Sequence, residues 1–269
     1  MSKQIFLYIT FFGLLSFSLL SYWAGLGGER NLLFLNIAYL LAPVFSVLGG
    51  LYAVKIYGWR GMTSRPFLFL TLGLLLWMIG EILWVYYDFV IEVTPYPSIA
   101  DYFYLFAYVP LFLGLFEQVQ LSKVRLKRFD PVIVFLFGII AILMAGLATY
   151  FGIFLAYDSA STLMENAVAI GYGLADMVII LCALLVLILA WEFRGGSLMR
   201  FYMFIFFGFS MTFIADVGFA VYNEEYLAGG WWIRNTLDSL WIMQYLYFGM
   251  AFFAFGLHLK VAQERLIER

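Results

Sequence analysis

Stretches of mostly apolar residues recur eight times along the chain, each closed by glycine, proline or a short charged break. About 20 such residues carry an α-helix across a hydrocarbon core. The pattern predicts spanning helices over 4–24, 32–56, 66–91, 99–121, 131–153, 167–191, 200–222 and 235–260. The breaks fall at Gly27-Gly28, Gly58 to Gly61, Pro95-Tyr96-Pro97, Lys123 to Pro131, Gly195-Gly196 and Gly229-Gly230. The first run has the length of a signal-peptide core. The stretch Trp23 to Gly28 matches a cleavage site only loosely, so the run reads as a retained helix.

Basic residues set the expected orientation. With the N-terminus in the cytoplasm, inner segments hold Lys3; Lys55, Arg60 and Arg65; Lys123, Arg125, Lys127 and Arg128; Arg194 and Arg200; Lys260, Arg265 and Arg269. That is 13 of the 15 Lys and Arg, with only Arg30 and Arg234 outside. The positive-inside rule therefore predicts an N-in, C-in chain. The outer segments carry Asp88, Glu92, Asp158, Glu165, Glu224 and Glu225 instead. The Lys123–Arg128 run reads as an orientation signal beside lipid headgroups. All loops are short, so a ligand or partner is expected to be met in or at the membrane.

Composition agrees and removes several function classes. The 269 residues are 65% hydrophobic and 12% charged, against about half and a quarter in soluble domains. The net charge of −2 argues against a nucleic-acid partner. One cysteine, Cys182, forms no disulfide within the chain and builds no thiolate cluster. One histidine, His258, excludes bis-histidine haem and three-histidine zinc. It reads as an interfacial residue near Lys260. No lysine sits mid-span in the late helices to carry a retinal Schiff base. No cofactor, metal site or catalytic set is therefore expected: the chain shows no Ser-His-Asp arrangement and no phosphate loop.

Polar positions repeat. Tyr39 to Pro43 aligns with Tyr172 to Asp176, Arg60-Gly61 with Arg194-Gly195, and Arg65 with Arg200. Glu81 falls on Asp216, Asp101 on Asp238 and Tyr108 on Tyr245, with the offset drifting only from 133 to 137. Four helices thus match four helices, about 1–125 and 126–269. An even number of crossings gives both halves one orientation, related by a pseudo-two-fold axis along the membrane normal. The expected fold class is an all-α polytopic membrane bundle of two parallel four-helix repeats.

Three acids lie deep in spans without a basic residue at similar depth: Glu81, Asp176 and Asp216. An acid at helix centre costs ~2.5–3.5 kcal/mol on insertion scales, so each is expected to face the bundle interior or a wet cavity. Helical spacing puts Glu81, Trp84 and Asp88 on one face, Asp216, Phe219 and Asn223 on another. Asp101, Tyr104 and Tyr108 share a third face, and Asp238, Trp241 and Tyr245 a fourth. These residues, with Asp176, are the candidate ligand-binding set. Two readings stand for them. One is an outward-opening cavity for a cation, amine or polar small molecule, since each aromatic face attracts a cation by ~0.5–2 kcal/mol. The other is structural. Asp101 after Ser98 and Asp238 after Asn235 have capping-box spacing, and Glu81 and Asp216 could hydrogen-bond between helices. Asp176 stands where the first half has Pro43, which breaks the repeat. Most other aromatic residues near span ends, such as Trp23, Trp59, Trp231 and Trp232, read as interfacial belts.

The segment Pro97-Ser98-Ile99-Ala100-Asp101-Tyr102-Phe103-Tyr104-Leu105-Phe106-Ala107-Tyr108 resembles a P-S-x-x-D-x-x-Y-L-x-x-Y signature. That signature opens a transmembrane helix in the membrane regions of prokaryotic signalling proteins, including GGDEF/EAL cyclic-di-GMP proteins and some histidine kinases. Asp238 to Tyr245 echoes it more loosely. The resemblance implies a membrane sensor module in a prokaryotic cell membrane, with no assigned ligand and no catalytic residues. After the eighth span come only Val261 to Arg269, so the expectation is a stand-alone sensor or receptor working with a separate cytoplasmic signalling partner. A proton- or cation-coupled transporter is the alternative, motivated by the repeats and the unpaired acids.

Overall fold

The computed structural model describes residues 3–59, 61–93, 96–122, 131–191 and 197–267. Among them helices are the regular elements and no strand occurs, with eight helices long and apolar enough to cross a membrane. The protein is a multi-pass membrane protein. The inner-loop basic residues Arg60, Lys123, Arg125, Lys127, Arg128, Arg194 and Arg269, and the breaks at Pro95 and Gly195-Gly196, lie outside the described residues.

The helices are α1 (Lys3–Trp23), α2 (Asn31–Tyr57), α3 (Arg65–Tyr86), α4 (Ile99–Ser122), α5 (Pro131–Thr149), α6 (Leu163–Ala190), α7 (Ser197–Leu227) and α8 (Trp231–Ile267). Two helices end in a widened π turn: Tyr87–Ile91 continues α3 and Tyr150–Phe154 continues α5. Existence and order agree with the apolar pattern, while some ends differ. Gly229, at φ +77°, stops α7, and its amide bonds back to the Tyr226 carbonyl at 3.0 Å. The chain re-enters a helix at Trp231, four residues before the expected start of the last span. The edge-on contacts of Trp231 and Trp232 with Trp23, at 5.6 and 5.0 Å, anchor that early start.

Alternating hairpins pack into one bundle. α3 lies along α4, α7 along α8, and α2 along both α3 and α8; α4 meets α6, and α1 closes against α8 and α2. In lipid, helices associate through close packing at small residues rather than by a hydrophobic force. α2 and α8 cross this way at Gly49 and Gly249: a Cβ on Gly49 would sit 2.9 Å from the Gly249 carbonyl oxygen. Among the described residues α5 rests mainly on α6 and the turn beyond it, and 6% of its span is buried, so its outer surface faces lipid.

α1 and α8 run antiparallel, with Trp23 against Trp231 and Trp232 and Phe11 against Tyr247, so Lys3 and Ile267 lie toward one end of the bundle. Rings pack together near that end. Phe67 stacks on Tyr57 at 4.9 Å and Phe255 at 4.8 Å, and Phe201 meets Phe255 at 4.7 Å. Farther in, Trp77 makes edge contacts with Tyr108 and Tyr245 at 5.6 and 6.3 Å. The opposite half is not filled, and the polar side chains gather there.

Candidate functional site

A cavity of about 540 Å³ opens at the end opposite the termini. Its deep wall is Trp77, Tyr108, Thr212, Gln244 and Tyr245; its middle holds Tyr39, Glu81, Trp84, Asp101, Tyr104, Tyr172, Asp216, Phe219 and Trp241. Its mouth is made by the α5–α6 loop and the last turns of α7. The loop has a defined shape. Asn166 accepts a bond from the Asp158 amide at 2.8 Å and donates to the Asp158 carbonyl at 2.7 Å. Thr162 and Glu165 form a capping box that starts α6.

Seven carboxyl groups line the cavity: Glu81, Asp101, Asp158, Glu165, Asp216, Glu224 and Glu225. Twelve aromatic rings line it too, and no Lys or Arg does among the described residues. Burial first, then the Asp101 carboxylate, pushes the Tyr96 hydroxyl above its ordinary range, so it faces the cavity as a neutral group.

The deep acids are held by donors from neighbouring helices. Glu81, 3% exposed, accepts the Tyr104 hydroxyl at 2.8 Å on one oxygen and the Tyr245 hydroxyl at 2.6 Å on the other. Asp216 accepts the Trp241 indole N–H at 2.7 Å, and its second oxygen meets the Tyr108 hydroxyl at 3.1 Å. The Tyr108 hydroxyl also bonds Asp176. Asp101 accepts the Ser98 amide at 2.6 Å and the Tyr172 hydroxyl at 2.8 Å. A small residue sets one of these contacts: a Cβ on Gly80 would lie 2.6 Å from the Tyr104 ring.

A search of protein-family models, of curated proteins and of solved structures finds no match to this chain.

The expected binding residues divide. Glu81, Trp84, Asp101, Tyr104, Tyr108, Asp216, Trp241 and Tyr245 line one cavity. Asp176, 3% exposed, sits behind Tyr108 rather than on the surface of the cavity. Asp88 and Asp238 belong to a separate ionic cluster. Arg234 bonds Asp88 at 2.7 Å and approaches Asp238 at 3.8 Å, while Asp238 also accepts the Tyr226 hydroxyl at 2.7 Å. Asp88 stands in the π turn Tyr87–Ile91 that follows α3 and does not line the cavity.

One expectation needs correcting. Asp238 does not cap a helix: α8 starts at Trp231, so Asp238 lies two turns in, and Asn235 donates to the Tyr22 carbonyl at 2.7 Å instead. Arg234 lies in the first turns of α8, one turn before Asp238. The capping geometry at Ser98–Asp101 is present, and Asp101 keeps its second oxygen for Tyr172.

Sequence reasoning passed over Tyr39, Trp77, Tyr96, Tyr172, Thr212, Tyr226 and Gln244 as lining residues. Tyr39 and Tyr172 carried a signal, since they opened the repeat alignment. Trp77 and Thr212 stand at the 135-residue offset of Glu81 and Asp216.

Proposed function

We propose that the chain is a membrane sensor or receptor-like module that binds an organic cation in this acidic, aromatic cavity. The carrying observation is the lining: seven carboxyl groups and twelve rings around about 540 Å³, without a Lys or Arg among the described residues. Charge buried without a counter-charge is costly. A cation entering the cavity supplies that counter-charge, and the rings add cation–π attraction of ~0.5–2 kcal/mol each. The volume suits a small organic molecule.

The repeat belongs to the same reading. Six pairs of lining residues stand 133 to 137 positions apart: Tyr39 and Tyr172, Trp77 and Thr212, Glu81 and Asp216, Trp84 and Phe219, Tyr104 and Trp241, Tyr108 and Tyr245. The bonds follow the same exchange. Glu81 takes one donor from its own half, Tyr104, and one from the other, Tyr245. Asp216 takes Trp241 from its own half and Tyr108 from the other. These correspondences support two same-orientation repeats about an axis through the cavity. The basic-residue bias supports N-in, C-in placement in a prokaryotic cytoplasmic membrane, with the mouth outward. The Pro97 to Tyr108 signature supports a signalling role with a separate cytoplasmic partner.

Purified protein in detergent tests the reading through quenching of its tryptophans by tetraphenylphosphonium and by the isosteric anion tetraphenylborate. The cation should bind saturably and the anion should not. Glu81→Gln and Asp216→Asn should each weaken cation binding at least about tenfold, ~1.4 kcal/mol. Equal binding of the two ions overturns the reading.

A cation-coupled transporter is the second reading, favoured by the exchange-related acids at the centre of two repeats. Uptake of tetraphenylphosphonium into proteoliposomes under an imposed proton gradient, lost in Asp216→Asn, selects it. Saturable binding without uptake selects the sensor.

A further inference from the structure

The two halves of the cavity are alike except at one point. Glu81 has a separate hydroxyl donor for each oxygen, so its bonds are complete as a carboxylate. Its counterpart Asp216 has a second acid beside it. The Tyr108 hydroxyl bonds both Asp176 and Asp216. Where α6 carries Asp176, the matching position of α2 carries Pro43.

Protons must be counted across this triad. A tyrosine hydroxyl has one proton to donate, and a carboxylate has none. Two ionised carboxylates would therefore set lone pair against lone pair in one of the two contacts with Tyr108. One carboxyl proton, held on either acid and donated to the Tyr108 oxygen, satisfies both. Other titratable groups around the pair are Glu81 from α3, Tyr172 from α6, Tyr245 from α8 and Tyr96 from the loop before α4. The sequence of α5, which packs on α6, has no titratable side chain. No Lys or Arg among the described residues lines the cavity to take the place of the proton.

We propose that the Asp176–Asp216 pair holds one exchangeable proton, and that an organic cation binding beside Asp216 expels it. The cavity then exchanges one proton for one cation. This rests on the cation-binding reading above and deepens it. The balance is simple. Before binding, two carboxyl groups share one proton and carry one negative charge. After binding, one O–H bond has broken, the proton has left through the mouth to water, and two carboxylates face one cation. The net charge buried in the membrane is unchanged, so the cation enters without an uncompensated charge. Tyr108 then donates to Asp176 while Asp216 faces the cation. Asp176 is a positioning and proton-holding residue, because it does not itself line the cavity.

Isothermal titration calorimetry with tetraphenylphosphonium tests this. The probe has no titratable proton, so any proton that appears comes from the protein. Titrations in two buffers of different ionisation enthalpy should read close to one proton released per cation near neutral pH. Affinity should rise about tenfold for each pH unit while the pair still holds its proton. In Asp176→Asn the amide keeps a partner for Tyr108 but has no proton to lose, so binding should persist with no release and little pH dependence. Glu81→Gln should weaken binding and still release the proton. Saturable binding with no proton released by the wild-type protein overturns the exchange and leaves the cation reading intact. No saturable binding overturns both. Release that persists in Asp176→Asn overturns the assignment to this pair. The wild-type titration decides the exchange by itself if the variant does not fold.

Discussion

Each oxygen of Glu81 receives a hydroxyl from a different helix, Tyr104 on α4 and Tyr245 on α8. Leaving a buried oxygen without its donor costs ~1–3 kcal/mol. Tyr245→Phe should therefore lower the melting temperature in detergent, with a loss of about 2 kcal/mol. The same change in a Glu81→Gln background should cost clearly less, because the two residues act as one unit. Equal losses in both backgrounds would mean that the hydroxyl contributes nothing through Glu81. At this scale much was legible. The acids stood out because they are rare in apolar runs, and helical spacing put Tyr104 and Tyr108 beside them. The donor from the opposite half was not legible, because spacing along one helix carries no information about which helix packs against it.

Among the elements, helix ends hold an ionic cluster apart from the cavity lining. Asp88, in the π turn after α3, bonds Arg234. The early start of α8 puts Arg234 one turn before Asp238. This cluster ties α3 to α8. Arg234→Leu should leave two acids without their cation and cost about 2 kcal/mol, less than the ~3–5 of a fully buried pair because Arg234 is about a third exposed. Adding Asp88→Asn should recover part of the loss in the same melting assay. A second element-level contact governs the mouth: α6 meets the turn after α5 at Gly173 and Gly152, where any Cβ collides with backbone. Gly173→Leu should push that turn off α6, with an overpacking cost of ~1–3 kcal/mol. It should also reduce tetraphenylphosphonium binding, since the following loop forms the mouth; unchanged affinity would remove the loop from the site. The apolar pattern located each of the eight long helices among the described residues. It did not register a π turn or a helix restarting straight after Gly229-Gly230, because both depend on local backbone geometry that hydropathy does not report.

For the whole molecule, orientation is the property to test first. In a Cys182→Ser background, a cysteine at Ser161 should react with a membrane-impermeant maleimide on intact cells. A cysteine at Trp59 should react only after permeabilisation. The reverse result would overturn the N-in arrangement and turn the mouth of the cavity to the cytoplasm. Stacked rings gather around Phe67 near the end of the bundle opposite the cavity.

The number of crossings, the distribution of charge along the chain and the identity of the rare buried acids could all be read from residue order. Each depends on the transfer of single residues or single helices between water and lipid, and that cost is local. Tertiary structure alone decided that Glu81 and Asp216 share a cavity, that Tyr108 joins Asp176 to Asp216, and that Asp88 and Asp238 are tied to Arg234 apart from its lining. These are contacts between helices far apart in the chain. They are set by how small residues such as Gly49, Gly80 and Gly249 let helix surfaces approach, which no single helix specifies.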